Sequence, residues 1–224
     1  MTTAKRPLFF AALLLAALVV LPLSRAQGGD ETPRRLESGE RQALFDRLAQ
    51  VQQGITTFQA DFEEKRTLSG LRRPLRYAGR LYYRRNDLFF MAYTTPIRYI
   101  LRVQDNTALM YVQGNPSADR ASISSSRDVA PQADWFAWDP AAFTGEVYRQ
   151  PDGYRLVSRQ QNGPGLTILL DPESLLARQI TIDNGSGDTT DIVLSAVETG
   201  RPLPESVTGY RLPAGVTINE MDAP

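Results

Sequence analysis

Few side-chain types in this sequence could carry out catalysis, and those that remain are carboxylates, Ser/Thr and Tyr. The 224 residues include no His and no Cys, which removes imidazole bases, thiol nucleophiles, disulfides and the commonest zinc ligands. Lysine occurs only as Lys5 and Lys65, and arginine is too basic to act as a proton acceptor. We therefore expect a protein that is not an enzyme and that has no catalytic residue, metal or cofactor.

The strongest candidate for acid chemistry is a group of carboxylates in one segment. Asp61 and Glu63 alternate with Phe58 and Phe62, and Glu64 follows directly. This period of two is typical of a half-buried strand whose polar positions face solvent. The paired carboxylates of glycosidases instead flank a bound sugar. We therefore interpret Asp61 and Glu63 as solvated charges.

The charge balance argues against nucleic acid as a partner. The chain has 25 Lys+Arg and 25 Asp+Glu, whereas binding to nucleic acid without sequence preference needs a basic surplus. One basic stretch stands out, with arginines at positions 72, 73, 76, 80, 84 and 85. We interpret it as the solvated face of a strand, with contact to an anionic surface as the alternative.

The first 26 residues have the features of a secretory signal peptide. Lys5 and Arg6 precede a charge-free apolar run over residues 8–23, and the small residues at 24 and 26 suit cleavage after Ala26. An uncleaved membrane anchor is the alternative, but an anchor needs about 20 apolar residues, and this run is shorter. We therefore predict export, with residues 1–26 removed.

The remainder of the chain is predicted to be a polar leader followed by one domain. We expect a flexible leader over residues 27–36 and a single domain over residues 37–224. The domain opens with an amphipathic helix, for which Ser38 is the predicted N-cap. The apolar positions of this helix recur with a period of 3.6 residues: Leu44, Leu48, Val51 and Ile55.

Alternation with a period of two follows the helix and predicts a mainly β domain. Alternating segments are joined by short turns, as in an antiparallel meander, and Asp105 with Asn106 is predicted to form a hairpin turn. Residues 114–134 are rich in Ser, Pro and Asp, so they predict a loop or helical excursion. We expect one antiparallel sheet of about ten strands, with an N-terminal helix and this excursion.

Aromatic and apolar residues exceed what one short helix can cover. They are concentrated in residues 82–93 and in residues 135–138, which hold both tryptophans. A long antiparallel sheet must curl, and a concave apolar face roofed by an aromatic segment would form a hydrophobic ligand site. An ordinary core built from the same residues is the alternative, and periodicity does not distinguish the two.

Three segments resemble a known family: TTFQADFEEK at 56–65, GRLYYRRNDLFFMAYTTP at 79–96 and YRLPAGVTI at 210–218. In this order, and together with the signal peptide, they resemble the periplasmic outer-membrane lipoprotein carriers of the LolA family. The resemblance implies an incomplete, strongly curved antiparallel β-barrel. It also implies an N-terminal helix and a helical lid over a hydrophobic cavity.

The resemblance also implies which residues line the cavity and which hold its lid. The family arginine that helps to hold the lid closed falls on Arg85, which we expect to donate hydrogen bonds to carbonyl groups of residues 133–145. Two departures from the family pattern are Asn86 in place of a proline and Met91 in place of a tryptophan. The residues expected to line the cavity are Leu81, Tyr83, Phe89, Met91, Tyr93, Trp135 and Phe136.

The function implied by the resemblance is transport of lipoproteins across the periplasm. Such a monomeric carrier takes lipoproteins from an inner-membrane ABC transporter and shields their acyl chains, or a related lipid. It then passes them to an outer-membrane receptor lipoprotein. Because the chain has no Cys to carry a lipid anchor, we expect the shuttle and not the receptor. Two alternatives stay open: a lipid or glycolipid shuttle of a biosynthetic pathway, and an RseB-like module that senses lipoproteins.

Overall fold

The computed structural model describes residues 32–123, 143–159 and 165–221. The predicted signal peptide, most of the predicted leader, most of the predicted lid, and both Trp135 and Phe136 lie outside the described residues. Within the described ranges, no helix is both long enough and apolar enough to span a membrane.

One sheet dominates the described part of the chain, where it contains thirteen strands. The strand bounds are β1 Arg34–Arg35, β2 Thr57–Thr67, β3 Leu75–Arg84, β4 Leu88–Thr95, β5 Tyr99–Gln104, β6 Thr107–Val112, β7 Ser117–Ser122, β8 Glu146–Gln150, β9 Gly153–Arg159, β10 Gly165–Leu170, β11 Ala177–Asp183, β12 Thr189–Thr199 and β13 Thr217–Met221. Their order across the sheet is β1-β8-β9-β10-β11-β12-β2-β3-β4-β5-β6-β7-β13.

The sheet consists of two meanders that meet in its middle. Strands β2 to β7 form one meander and β8 to β12 the other, and β12 pairs with β2 so that Leu194 lies opposite Phe62. The two edges are β1 and β13, so the curved sheet does not close on itself. All pairings in the described chain are antiparallel except that of β13 with β7. The predicted fold class, an incomplete antiparallel barrel, is confirmed.

One turn of the β2 to β7 meander has the geometry that its residue types predict. Asp105 and Asn106 have φ values of 51° and 57° and connect β5 to β6 in a two-residue hairpin. This left-handed geometry at both central positions matches the right-handed twist of the flanking strands, and Asp and Asn tolerate it better than most residues. The predicted hairpin turn is confirmed.

The sheet has more strands than predicted, and one of them corrects an expectation. Residues 114–134 are predicted as a loop or helical excursion, but residues 117–122 form β7, which pairs with β6 and β13. The sequence of this strand, SADRAS, has no large apolar residue. Without an apolar alternation, nothing in its composition indicates a strand, and only the pairing partners on both sides reveal it.

Two helices are described, α1 at Ser38–Gly54 and α2 at Glu205–Thr208. The N-cap of α1 is Glu37, so the predicted N-cap Ser38 is wrong by one residue. The Glu37 backbone N–H donates a 3.2 Å hydrogen bond to the Glu40 carboxylate. That carboxylate in the first turn also suits the positive end of the helix dipole.

The chain joins the sheet before α1 begins. Arg34 and Arg35 pair with Arg149 and Tyr148 of β8, and the Arg34 guanidinium lies 2.7 Å from the Glu40 carboxylate. The end of the segment predicted as a leader is therefore a sheet edge that is also bound to the first turn of α1.

The two faces of the sheet carry separate apolar clusters. One face, which we call the inner face, packs against three buried side chains of α1: Leu44, Phe45 and Leu48. The opposite outer face carries a smaller cluster of Leu88, Phe90 and Val207, where Val207 belongs to α2. Because neighbouring side chains of a strand point to opposite faces, the same strands supply both clusters.

Candidate functional site

The inner face is apolar because successive strands place every second side chain on it. Phe58, Ala60 and Phe62 of β2 are each at most 2% exposed. Gly79 lies opposite Phe62, and a Cβ at Gly79 would come within 2.8 Å of the Phe62 ring. The missing side chain gives this ring room to meet Tyr93 edge to face, with ring centroids 4.9 Å apart.

Five of the seven residues predicted to line a cavity belong to the described chain, and all five lie on the inner face. They are 0–8% exposed and belong to the same cluster as the buried residues of α1. In this arrangement they pack within this cluster, and their contact with a ligand stays a prediction. The five residues are Leu81, Tyr83, Phe89, Met91 and Tyr93.

Arg85 connects the sheet to the end of α1. Its Nε donates a 3.0 Å hydrogen bond to the carbonyl oxygen of Ile55, and another guanidinium nitrogen donates to the carbonyl of Gln52. Carbonyl groups at a helix C-terminus lack helical partners, so a cationic donor suits them. Most of the expected partners in residues 133–145 lie outside the described residues. The carbonyls that Arg85 binds in the described chain belong to α1 and the residue after it.

Asn86, the departure next to this arginine, has a conformational reason. It lies in the turn between β3 and β4 with a φ of 56°. A proline ring holds φ near −65° and could not adopt this turn, whereas Asn tolerates the left-handed region. The turn beside Arg85 therefore has a backbone conformation that Asn86 can adopt and the family proline could not.

A polar cluster occupies one end of the inner face. We call it the tyrosine cluster, and it consists of Glu64, Arg66, Tyr77, Tyr93 and Tyr99. The Tyr93 hydroxyl donates a 2.8 Å hydrogen bond to Glu64, and Arg66 also pairs with this carboxylate. The Tyr93 and Tyr99 rings stack at 3.8 Å, and the Arg66 guanidinium lies 4.9 Å from the centre of the Tyr77 ring.

In the tyrosine cluster, the positive charge of Arg66 offsets the negative charge of Glu64. Burial and the nearby Glu64 charge raise the pKa of Tyr93 far above its usual value. Burial alone would lower the pKa of Arg66, but its hydrogen bond to Glu64 raises that pKa overall. Tyr93 therefore stays a neutral donor and Arg66 a cation, so the buried Glu64 carboxylate is compensated.

Among the described residues, part of the inner face is exposed on the side of β6 and β13. Met110 lies opposite Leu101, whose side chain belongs to the inner-face cluster, and Met110 is 45% exposed. Met221 is paired with Ala121, and Ala121 with the inner-face residue Ala108. The exposure of Met221 is 55%. We call the region defined by Met110 and Met221 the open side of the inner face.

A polar pair borders the open side. Asp119 lies opposite Met110, and the Asn219 amide donates a 3.1 Å hydrogen bond to the Asp119 carboxylate. Flexible methionine side chains adapt to apolar ligands of varied shape, and polar groups beside them suit a ligand with a polar end. The open side is therefore amphipathic and chemically fit to receive a lipid.

Sequence reasoning missed both the tyrosine cluster and the open side. Glu64 lies an even number of residues from Phe58 and Phe62 in β2, so its side chain points to the same face as theirs. The alternation that predicts Glu63 on the solvent face therefore also predicts Glu64 on the inner face. No comparable signal existed for Met110 and Met221. Their shared face depends on pairings across four strands.

Comparison with known proteins identifies similar solved structures but no sequence family. No protein-family model matches this chain, and no curated protein matches it. A LolA superfamily protein from Nitrosomonas europaea shares 10% identity at a TM-score of 0.44, over 75% of this chain and 96% of that one. A domain named for outer membrane lipoprotein sorting, from Vibrio parahaemolyticus, shares 10% identity at 0.43, over 73% and 94%.

MucB from Pseudomonas aeruginosa, in complex with MucA, is a third similar structure. It shares 16% identity at a TM-score of 0.41, over 79% of this chain. This chain spans about 62% of the length of MucB. A LolA superfamily protein is thus among the structural neighbours of this chain, as the resemblance in the sequence predicts.

Proposed function

We propose that this protein is a carrier that shields the acyl chains of lipoproteins, or of a related lipid, on its inner face. The observation that carries the proposal is the open side. There, an otherwise buried apolar face presents Met110 and Met221 to solvent with the polar Asp119 and Asn219 beside them. The proposed role is binding and release, without bond chemistry.

The energetics of apolar transfer support such a role. Each buried methylene contributes about 0.8 kcal/mol, so about ten methylenes contribute about 8 kcal/mol. Three buried side chains of α1 cover the inner face, namely Leu44, Phe45 and Leu48. Exposing each costs about 1.5–3 kcal/mol. An acyl chain that takes their place would roughly offset the cost, which makes loading and release reversible.

The contacts of Arg85 suit a reversible cover. The arginine binds only carbonyl oxygens at the end of α1 in the described chain, through Gln52 and Ile55. Water can replace these bonds when α1 moves, because no charge partner is left behind. A ligand favours the open state only to the extent that it binds that state more tightly. Acyl chains meet this condition when α1 leaves the inner face.

The tyrosine cluster supports the proposal by bounding the apolar surface. Glu64 and Arg66 form a charged pair at one end of the inner face, and an acyl chain passing between them would break their hydrogen bonds. We therefore propose that the chain enters from the open side and ends before the tyrosine cluster.

The proposed setting is the periplasm, with an inner-membrane ABC transporter as donor and an outer-membrane receptor lipoprotein as acceptor. Its supports are the signal-peptide features of residues 1–26 and the resemblance of three ordered segments to lipoprotein carriers.

Native mass spectrometry of the protein purified from the periplasm of a Gram-negative host tests this proposal. Mass additions that correspond to acylated proteins are the expected result. Additions of free lipid or glycolipid would favour the specialised shuttle. Protein that carries neither, even when it is incubated with a purified triacylated lipopeptide, would contradict the proposal.

A further inference from the structure

A cavity lies on the outer face, on the side of the sheet opposite α1. Its volume is about 410 Å³, and it is formed by β5, β6, β7 and β13 with the segment that follows α2. We call it the outer pocket. The lining residues that matter here are Arg102, Leu109, Arg120, Tyr210, Arg211 and Ile218.

The register of the sheet explains how these side chains meet. Arg102 lies opposite Leu109, and Leu109 lies opposite Arg120, so all three project from the outer face in one row. Leu109 therefore forms an apolar floor with a guanidinium group on either side. Tyr210 forms a wall, because its ring packs edge to face on Phe90 with centroids 5.5 Å apart.

The guanidinium groups of the outer pocket are unequally neutralised. Arg120 has a carboxylate partner, since its Nε lies 3.0 Å from one oxygen of Glu220. Arg102 bonds instead to the amide oxygen of Gln104. The Gln104 amide in turn donates a 3.0 Å hydrogen bond to Asp87, whose charge is already matched by Arg84.

Arg102 is therefore held in place without a carboxylate of its own among the described residues. Its Nε is buried and has no hydrogen-bond acceptor in the described chain. Arg211 adds another positive charge to the lining, while Asp105 is the one carboxylate among the pocket-lining residues.

We propose that the outer pocket binds the phosphate group of an organic phosphate ester. Three guanidinium groups outnumber the carboxylates of Asp105 and Glu220, and their forked donors match phosphate oxygens. The volume exceeds what a single phosphate group needs, and Leu109 with Ile218 offers apolar contact to the organic part. This site is independent of the proposed acyl-chain function, because it lies on the other face of the sheet.

Two sources of such a phosphate ester are distinguishable by experiment. Isothermal titration calorimetry with glycerol phosphate detects binding of a free ester. Flotation with vesicles of phosphatidylglycerol, compared with vesicles of neutral phosphatidylcholine at the same salt concentration, detects binding of a lipid headgroup. Saturable binding in at least one of these two experiments is the expected result. Binding of glycerol phosphate would identify a free ester as the source, and binding to phosphatidylglycerol vesicles would identify a lipid headgroup.

Variants of the full chain connect the binding to the pocket. Arg102→Gln and Arg211→Gln are each expected to weaken binding about tenfold or more, because each removes a charged donor. Arg98→Gln is the matched control, since Arg98 is exposed at the other end of β5. Arg211 is exposed as well, so its variant keeps the test valid if Arg102→Gln does not fold. No saturable binding of either probe, or an equal loss in Arg98→Gln, would overturn the proposal.

Discussion

The Nε of Arg85 donates a 3.0 Å hydrogen bond to the carbonyl oxygen of Ile55 and so joins the turn after β3 to the end of α1. The backbone N–H of Arg85 also donates a 3.0 Å hydrogen bond to the carbonyl of Thr56. The carboxyl end of α1 is therefore held by the Arg85 side chain together with Val51 and Ile55, which pack against the inner-face cluster.

Replacing this side chain should loosen α1. We expect Arg85→Gln to lower the free energy of unfolding by about 1–3 kcal/mol, because charged hydrogen bonds to carbonyl groups are lost. Amide hydrogen exchange in the last turn of α1 should accelerate more than exchange in β2. Arg76→Gln is the control, since Arg76 is exposed on β3. Equal exchange rates in both variants would show that Arg85 does not hold the helix.

The tyrosine cluster should make a measurable contribution to stability. Tyr93→Phe removes the donor that binds the buried Glu64 carboxylate at 2.8 Å. We expect it to destabilise the fold by about 1–3 kcal/mol in urea unfolding. Tyr82→Phe, on the outer face of the same sheet, should change stability by less than about 0.5 kcal/mol. The cluster would have no structural role if both variants unfolded at the same urea concentration.

A charge on the open side should weaken lipid binding and leave the fold intact. Met110→Lys places an ammonium group opposite Asp119 on the inner face. Val193→Lys is matched to it, because Val193 is 47% exposed and lies opposite Glu63 on the outer face. We expect about tenfold weaker binding of a triacylated lipopeptide to the first variant, since its apolar contact surface is lost. Equal affinities would place the lipid elsewhere.

The ion pair at the start of α1 should be visible in a titration. Hydrogen bonding to Arg34 lowers the pKa of Glu40 from 4.5 to about 2. Because this pKa is depressed in the fold, the stabilisation is present above about pH 4.5 and is lost as the pH falls through about 2.

Nuclear magnetic resonance titration of the Glu40 side chain checks this value. Arg34→Gln should return the pKa of Glu40 towards 4.5, whereas Arg35→Gln should leave it low, because Arg35 pairs with Glu146 instead. A Glu40 pKa near 4.5 in the unmodified protein would mean that the ion pair does not form in solution.

The features that the sequence predicted correctly have local causes. The alternation of Phe58 and Phe62 with Asp61 and Glu63 depends only on strand geometry, and the Asp105-Asn106 turn depends on conformational preferences of two residues. The α1 stripe of Leu44 and Leu48 is equally local. Such patterns predict the local structure of a segment wherever that segment packs against an apolar surface.

The features that were missed depend on contacts between distant parts of the chain. β7 is a strand because β6 and β13 flank it, although its own composition favours a loop. The partners of Arg85 depend on where α1 ends relative to the sheet. The outer pocket requires Arg102 of β5 and Arg120 of β7 to fall in register on either side of β6, and pairing of that kind is invisible in a single sequence.

Photo-crosslinking tests the central claim most directly, namely that acyl chains bind to the inner face. A triacylated lipopeptide with a diazirine at the end of one acyl chain is bound and irradiated, and the labelled residues are identified by mass spectrometry. We predict labels on the open side and the adjoining inner face, at Met110, Met221 and Met91, which excess unlabelled lipopeptide suppresses. Labels confined to outer-face residues such as Val193, or labelling that unlabelled lipopeptide does not suppress, would contradict the account.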